Sequence, residues 1–453
     1  MKRRNFLAAA ATGPFLGRVL GANDRITIAQ IGLGARGYYE LGLCMKNPSV
    51  NIAAVCDVYE PFAREAAQKV GGNVKQYSDF RHVLDRKDID AVFVSTPDHW
   101  HAIISILACQ AGKDVYCEKP LSHTIAEGRR MVQAARKYGR VVQTGSQQRS
   151  APHFAKAQSL IQSGYIGKVS RVDCWNFANQ YPEGCGNPPD EDPPPGLNWD
   201  FYLGPAPQAH YNRNRFIWHY RWFWEYSGGM MTDWGAHHMD SLHQIMGVDA
   251  PLAVSASGGK YVLRDNRETP DTLRAVFEYP GFMASYTNDI VNRYPKAGRP
   301  YGMMFSGTLG TLIIDRKSYE VIPEKSMGPG EVDLFALLKH RGIPIPKHAP
   351  DPASNDPAPK FSDPISVTGI SLDPEVQIAH IQNWLDCIRS RQRTVADWET
   401  GHRSVTACHL GNIALRTGKR IQWDSKSEAI VNDSEAAKMM TKNYRAPWNL
   451  PAV

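Results

Sequence analysis

The stretch Ile26-Thr-Ile-Ala-Gln-Ile31-Gly32-Leu-Gly34-Ala-Arg36-Gly37 decides how this chain begins to fold. Six apolar-rich residues of strand character run into three glycines spaced G-x-G-x-x-G, and helical sequence follows to about Lys46. The pattern then repeats. Asn51–Asp57 reads as a second strand, Asp90–Thr96 as a third, and a helix is expected near His101–Ala111. Asp114–Cys117 and Val141–Thr144 complete the set. Strands separated by helical stretches require crossover connections. They predict a parallel sheet covered on both faces, an α/β Rossmann-type domain over residues 25–150.

The glycine pattern alone is weak evidence, but here it follows a strand, opens a helix, and has Asp57 at the end of the next strand. Gly32 permits the tight turn, Gly34 lets backbone approach a pyrophosphate, and Gly37 lets helix and strand pack closely. The helix N-terminus beside Arg36 offers free N–H groups to phosphates. Asp57 is placed to accept hydrogen bonds from ribose hydroxyls. A carboxylate there repels a 2′-phosphate, and Val58 and Tyr59 bring no cation, which favours NAD over NADP.

Ligands bind outside the carboxyl ends of parallel strands. Thr96, Pro97 and His101 follow the third strand, and Glu118, Lys119 and Pro120 follow Cys117, so both segments are expected to face the cofactor. Pro120 keeps Lys119 extended, and a lysine in a drier site can polarise a substrate hydroxyl or a developing ketone oxygen. Further along, Asp233, His237 and Asp240 fall at i, i+4 and i+7 and predict one polar stripe on an otherwise apolar helix. A histidine there suits removal of a hydroxyl proton near neutral pH, and Asp233 can orient it or grip a sugar hydroxyl. His238 is the competing base. His237, His238, Asp240 and His243 also raise a metal reading, but His237 and His238 diverge by a helical step and no H-E-x-x-H occurs, so no metal is expected. The run Arg213–Glu225 is dense in aromatics, with Trp222 a candidate sugar platform as well as a core residue. Arg149, beyond the last strand, is a candidate rim contact.

Gly32–Gly37, Thr96-Pro97, Ala111-Gly112-Lys113, Glu118-Lys119-Pro120 and Gly228-Gly-Met-Met-Thr-Asp233-Trp-Gly235-Ala-His237-His-Met-Asp240 together resemble the glucose–fructose oxidoreductase, inositol dehydrogenase and MocA family over roughly Ile26 to Asp424. The resemblance implies a second α/β domain over 151–424 with a large, open, mostly antiparallel sheet, often used for homo-oligomer contacts. It implies NAD(P)-dependent redox chemistry on sugars or cyclic polyols, with Lys119, Asp233 and His237 as the catalytic set. Lys119, Arg149, Trp222, Asp233, His237 and His238 are the expected substrate contacts. One branch of the family cleaves N-acetylgalactosaminides by transient oxidation with bound NAD. Its motif after the paired glycines differs from the one here, so that reading is an alternative, and a catalytically inactive sugar-binding protein is another.

The first residues, Met1-Lys2-Arg3-Arg4-Asn5-Phe6-Leu7 and an Ala-rich stretch to about Leu16, resemble a twin-arginine export leader over 1–24. This places the expected site of action in the periplasm. The formal charge is +7, of which Lys2, Arg3, Arg4 and Arg18 supply four, so there is no electrostatic case for nucleic acid. No run of 18 apolar residues suits a membrane span. Eight cysteines contain no C-x-x-C. Cys44, Cys56, Cys109 and Cys117 read as core residues, whereas Cys174 and Cys185 flank a loop and are candidates to pair after export. Residues 425–453 read as a tail over the surface.

Overall fold

The computed structural model describes residues 25–324, 340–343, 361–370 and 373–453. The expected twin-arginine leader lies outside them, as does most of the Pro-rich stretch from Gly342 to Pro364. Six strands, β1 (Ile26–Ile31), β2 (Val50–Cys56), β3 (Lys75–Tyr77), β4 (Ala91–Val94), β5 (Asp114–Cys117) and β6 (Val142–Thr144), form one sheet in the order β3-β2-β1-β4-β5-β6. All its pairings are parallel. Every residue of β4 and β5 is buried, as a sheet covered on both faces requires. The crossovers are α1 (Ala35–Cys44), α2 (Glu60–Val70), α3 (Phe80–Leu84), α4 (Asp98–Gln110) and α5 (Ile125–Lys137). The order reverses between β1 and β4, which opens the crevice at their carboxyl ends.

The chain continues through α6 (Pro152–Gln162), β7 (Val169–Phe177), α7 (Trp199–Leu203), α8 (Gly229–Thr232) and α9 (Trp234–Met246). It then runs through β8 (Ala253–Gly259), β9 (Thr272–Tyr279), β10 (Phe282–Asp289), β11 (Tyr301–Gly307), β12 (Gly310–Ile314), β13 (Tyr319–Pro323) and β14 (Ile365–Val367). With β15 (Ile421–Asp424) and β16 (Ala429–Ile430) these strands build a ten-stranded sheet, ordered β14-β13-β12-β11-β7-β10-β9-β8-β15-β16. Its one parallel pairing is β7 with β10. Alternation along β9, with Leu273, Ala275, Phe277 and Tyr279 turned inward, packs one face against the helices, among them Met239, Leu242 and Ile245 of α9.

Two late helices, α10 (Glu375–Ser390) and α11 (Trp398–Thr417), return to the first sheet. Trp384 of α10, fully buried, packs edge-on to Phe93 at 5.0 Å and to Tyr116 at 5.7 Å. Ala396 accepts from the Thr144 N–H at 2.8 Å and Thr394 donates to the Val142 carbonyl at 2.7 Å, which covers the open edge of β6. The last residues clasp both halves: Trp448 lies 4.7 Å from Trp100, and Arg445 bonds the Asp200 carboxylate at 2.6 Å. Cys174 sits in the core on β7 and Cys185 beside Asp265. Both are free thiols, so the pairing left open by their flanking positions is not formed here.

Candidate active site

Gly32, Gly34, Arg36, Asp57, Thr96 and Pro97 line one open cleft at the switch point of the parallel sheet. Two glycines are fixed by close approach. A Cβ on Gly32, which sits at φ +87°, would lie 2.6 Å from the Ser95 carbonyl oxygen, and one on Gly37 would lie 2.0 Å from that of Gly32. Gly34 caps α1 without any side-chain partner, so the first-turn N–H groups face the cleft, as a pyrophosphate needs. Asp57 accepts from Leu33 N–H at 2.7 Å and Tyr59 N–H at 2.8 Å, and burial pushes its carboxyl up to about 6. The residues fit a dinucleotide.

No cation stands with Asp57, Val58, Phe62, Ser78 and Phe80 at that end of the lining. On cofactor-stripped protein, NAD is expected to bind about 10²-fold more tightly than NADP at neutral pH, since like charges in contact cost several kcal/mol. Asp57→Ser narrows the gap, and acidification through about 6 narrows it in the wild type, because protonation removes the repelling charge. Fluorescence titration of the two reduced cofactors decides it, and equal affinities would remove Asp57 from this role.

The cleft's other wall comes from the second domain. Glu60 N–H donates to Gly196 O at 2.8 Å, Asn198 N–H donates to Val58 O at 3.0 Å, and Tyr59 bridges Leu197. Phe216 lies edge-on to Tyr59 at 5.7 Å, and Ile217, Trp218, Tyr220 and Arg221 extend the lining. Residues 196–221 therefore strap the cleft from beside Asp57 to the Arg221 end.

At that end α8 and α9 break at Asp233, whose ψ of −78° interrupts the helix. One carboxylate oxygen of Asp233 takes the Lys119 ammonium and the other the Arg221 guanidinium. The carboxyl, although burial opposes it, is held far below the usual range by Arg221 and Lys119. Asp233 thus fixes Lys119 rather than orienting His237. His237 is 7% exposed, with Nδ1 buried and without a partner. Burial, then Arg316 and Lys119, hold its proton affinity well below the ordinary value, leaving a neutral ring beside a cation.

Several expected contacts lie elsewhere. His101 is buried, its ring nitrogens 2.8 Å from the Pro120 and Thr96 carbonyl oxygens; it braces two strand-end loops instead of touching a cofactor. Glu118 is buried under the cleft, where it holds Arg36 at 2.9 Å and Arg36 also reaches Glu40 at 3.1 Å. His238 turns to the sheet, with Nδ1 3.0 Å from the Trp234 carbonyl oxygen and its ring 4.4 Å from that of Tyr301. Asp240 leaves the polar stripe to bind Arg149 and Ser404, so Arg149 lines a separate hollow with His243 and Glu399. Trp222 is core, 1% exposed beneath Arg267 at 4.4 Å; Trp218, 58% exposed, is the indole of that run at the cleft. Arg221 and Trp218 both belong to the run expected to offer aromatics and cations to a sugar; it has no helical or strand period and folds as short 3₁₀ turns, so its sequence did not say which of its rings faces the cleft. Arg316, in the turn after β12, carries no sequence signal at all.

Residues 26–146 match a family model described as an oxidoreductase family, NAD-binding Rossmann fold. Residues 154–261 and 366–450 match that family's C-terminal alpha/beta domain. The inositol 2-dehydrogenase of Salmonella typhimurium is 33% identical over 144 residues, 31% of this chain and only 43% of that protein's length. The scyllo-inositol 2-dehydrogenase (NAD(+)) of Bacillus subtilis is 26% identical over 321 residues, 70% of this chain and 82% of that one. The solved WlbA dehydrogenase from Bordetella pertussis, in complex with NADH and UDP-GlcNAcA, shares the fold at TM-score 0.63 and 18% identity, covering 89% of this chain and 99% of that one. With both domains matched and the glycine cleft, Lys119 and His237 in place, the chain belongs to the Gfo/Idh/MocA oxidoreductase family.

Proposed function

We propose that this protein is an exported, NAD-dependent oxidoreductase that oxidises a hydroxyl of a sugar, glycoside or cyclic polyol. The observation that carries this reading is a neutral, buried His237 together with a Lys119 held in place by Asp233, whose other partner, Arg221, lines the dinucleotide cleft. His237 takes the hydroxyl proton; its low proton affinity keeps it free to do so, and Lys119 and Arg316 discourage any earlier proton. The Lys119 ammonium donates to the oxygen as it gains negative charge and then becomes a carbonyl. Arg221 keeps Asp233 ionised, and Asp233 keeps Lys119 aimed. NAD, held by Gly32, Gly34, Arg36 and Asp57, supplies the hydride acceptor when bound. The ten-stranded sheet exposes Met283 and Arg274 on its outer face, which supports a homo-oligomer.

The strap over the cleft supports a retained cofactor, and with it a second reading, glycoside cleavage by oxidation, elimination and re-reduction. Export through the twin-arginine route carries folded protein, so cofactor is loaded beforehand and binding stabilises the native state by mass action. Purified protein is expected to keep near-stoichiometric NAD(H) through extensive dialysis, measured in the supernatant after heat denaturation. An empty supernatant with weak rebinding overturns retention. Product analysis by mass spectrometry separates the readings: a ketosugar with NADH, a released aglycone without net NADH, or no change, as an inactive binding protein gives.

A further inference from the structure

Each cation around the catalytic end but one has its carboxylate. Lys119 and Arg221 share Asp233, and Arg36 has Glu118. Arg316 has none among the described residues; its neighbour Asp315 is taken by Arg299 at 3.0 Å. The Arg316 side chain is nevertheless rigidly placed. Nε donates to Gln148 Oε1 at 3.0 Å, an oxygen that also accepts from Tyr301. The guanidinium lies 4.7 Å from the centre of the Trp234 ring and 5.4 Å from that of Tyr301. Its Nη2 is buried with no hydrogen-bond partner.

A half-buried guanidinium with an unmet N–H is costly, and two aromatic faces return only part of that cost. Trp234, on which Arg316 stacks, has the His237 ring 5.9 Å from its centre, so the cation and the base are neighbours on one indole. The cofactor phosphates belong at the N-terminus of α1 in the first domain, whereas Arg316 stands on the second domain's sheet. Among the described residues no anion meets Arg316, and a substrate seated at His237 can bring one. A planar guanidinium placed over aromatic rings, with one N–H unmet, matches a planar, two-oxygen anion.

We infer that the substrate is an acidic sugar, its carboxylate bound by Arg316 while the hydroxyl to be oxidised lies at His237. This rests on the oxidoreductase reading above and names the substrate class of that site.

The test uses the NAD-loaded protein and matched pairs: hexuronic acids and their methyl glycosides against the neutral hexoses and methyl hexosides of the same configuration. Binding is read from the fluorescence of bound NADH, and turnover from its absorbance. The wild type is expected to prefer the acid of at least one pair by about 10- to 100-fold, the range of a charge-assisted hydrogen bond. Arg316→Gln collapses that ratio, and Arg316→Lys, which keeps the charge but not the fork, retains part of it. Retained NAD content and melting temperature certify that the variants are folded. Three results overturn the inference: neutral sugars turned over with the acids inert, a ratio unchanged in Arg316→Gln, or an acid limb of the pH profile moved upward with no change in ratio. The last would mean that Arg316 acts only on His237. Turnover of neither set overturns the acidic-sugar inference alone, since cyclic polyols lie outside both sets, and turnover of neutral sugars alone likewise leaves the oxidoreductase reading standing.

Discussion

Replacing His237 by alanine lowers turnover by about 10²–10⁴-fold, the contribution of a positioned general base, while bound NAD is kept. The expectation follows from separation of roles. His237 touches no described hydrogen-bonding partner through Nδ1 and lies outside the glycine cleft, so its removal leaves the cofactor's cradle intact. His238→Ala is the control that discriminates. That ring packs between Tyr301 and Tyr286, and its loss lowers the melting temperature with much less effect on the chemical step. Stopped-flow reduction of bound NAD measures both; an inactive His238→Ala beside an active His237→Ala reverses the assignment. Burial, Arg316 and Lys119 hold His237 well below the ordinary histidine value, so the wild-type rate shows no acid limb between about pH 6 and 7, where an unperturbed histidine titrates.

Acidification is expected to unfold this protein steeply. His99, His237, His238, His243, His380 and His409 are buried and His123 is half-buried, and burial lowers the proton affinity of each. His99, His238, His243 and His409 fall to about 3 and His380 to about 4. In the unfolded chain each protonates near 6.5. The sign follows: their contribution is complete above about 6.5 and is lost as the pH falls from there toward the folded values, because only the unfolded state takes up the protons. Each group adds up to about 1.4 kcal/mol per pH unit. Asp57, Glu40 and Asp98, raised by burial, work in the opposite direction but are fewer. His101 is the exception among the buried rings. Although burial opposes it, Cys117, Asp98 and the Pro120 carbonyl push it up to about 10, so its contribution is present below about 6.5 and fades as pH rises toward 10. Denaturant melts between about pH 7 and pH 5 measure the slope as protons taken up on unfolding. An uptake of one proton or fewer would mean that these histidines titrate freely in the folded protein.

What was legible in the sequence is what local geometry dictates. The parallel sheet could be read because each strand of the first domain is a short apolar run between helical stretches. Gly32 and Gly37 could be read because backbone oxygens sit where a Cβ would go. Lys119 was found because a strand end beside a proline has few alternatives. Helical periodicity brought Asp233 and His237 together but misjudged Asp240, since it says which face a residue shares and not which neighbour claims it; Arg149 and Ser404 do. His101 and Glu118 were placed on the right loops and the wrong side of them. Trp218 and Trp222, four residues apart in irregular turns, have the same sequence context, and only packing against Arg267 sends one inward. Arg316 becomes visible only when β12 brings it over Trp234.

The seam between Val58–Glu60 and Gly196–Asn198, closed over by Phe216, has a thermal consequence. On the retained-cofactor reading, a dinucleotide seated beneath it is expected to depart only after backbone hydrogen bonds part and aromatic contacts separate, a local melting of the protein. Its escape rate then climbs with heat as unfolding rates do, about three- to sixfold for every ten degrees, and rises with urea, whereas a ligand leaving an open groove responds to neither so strongly.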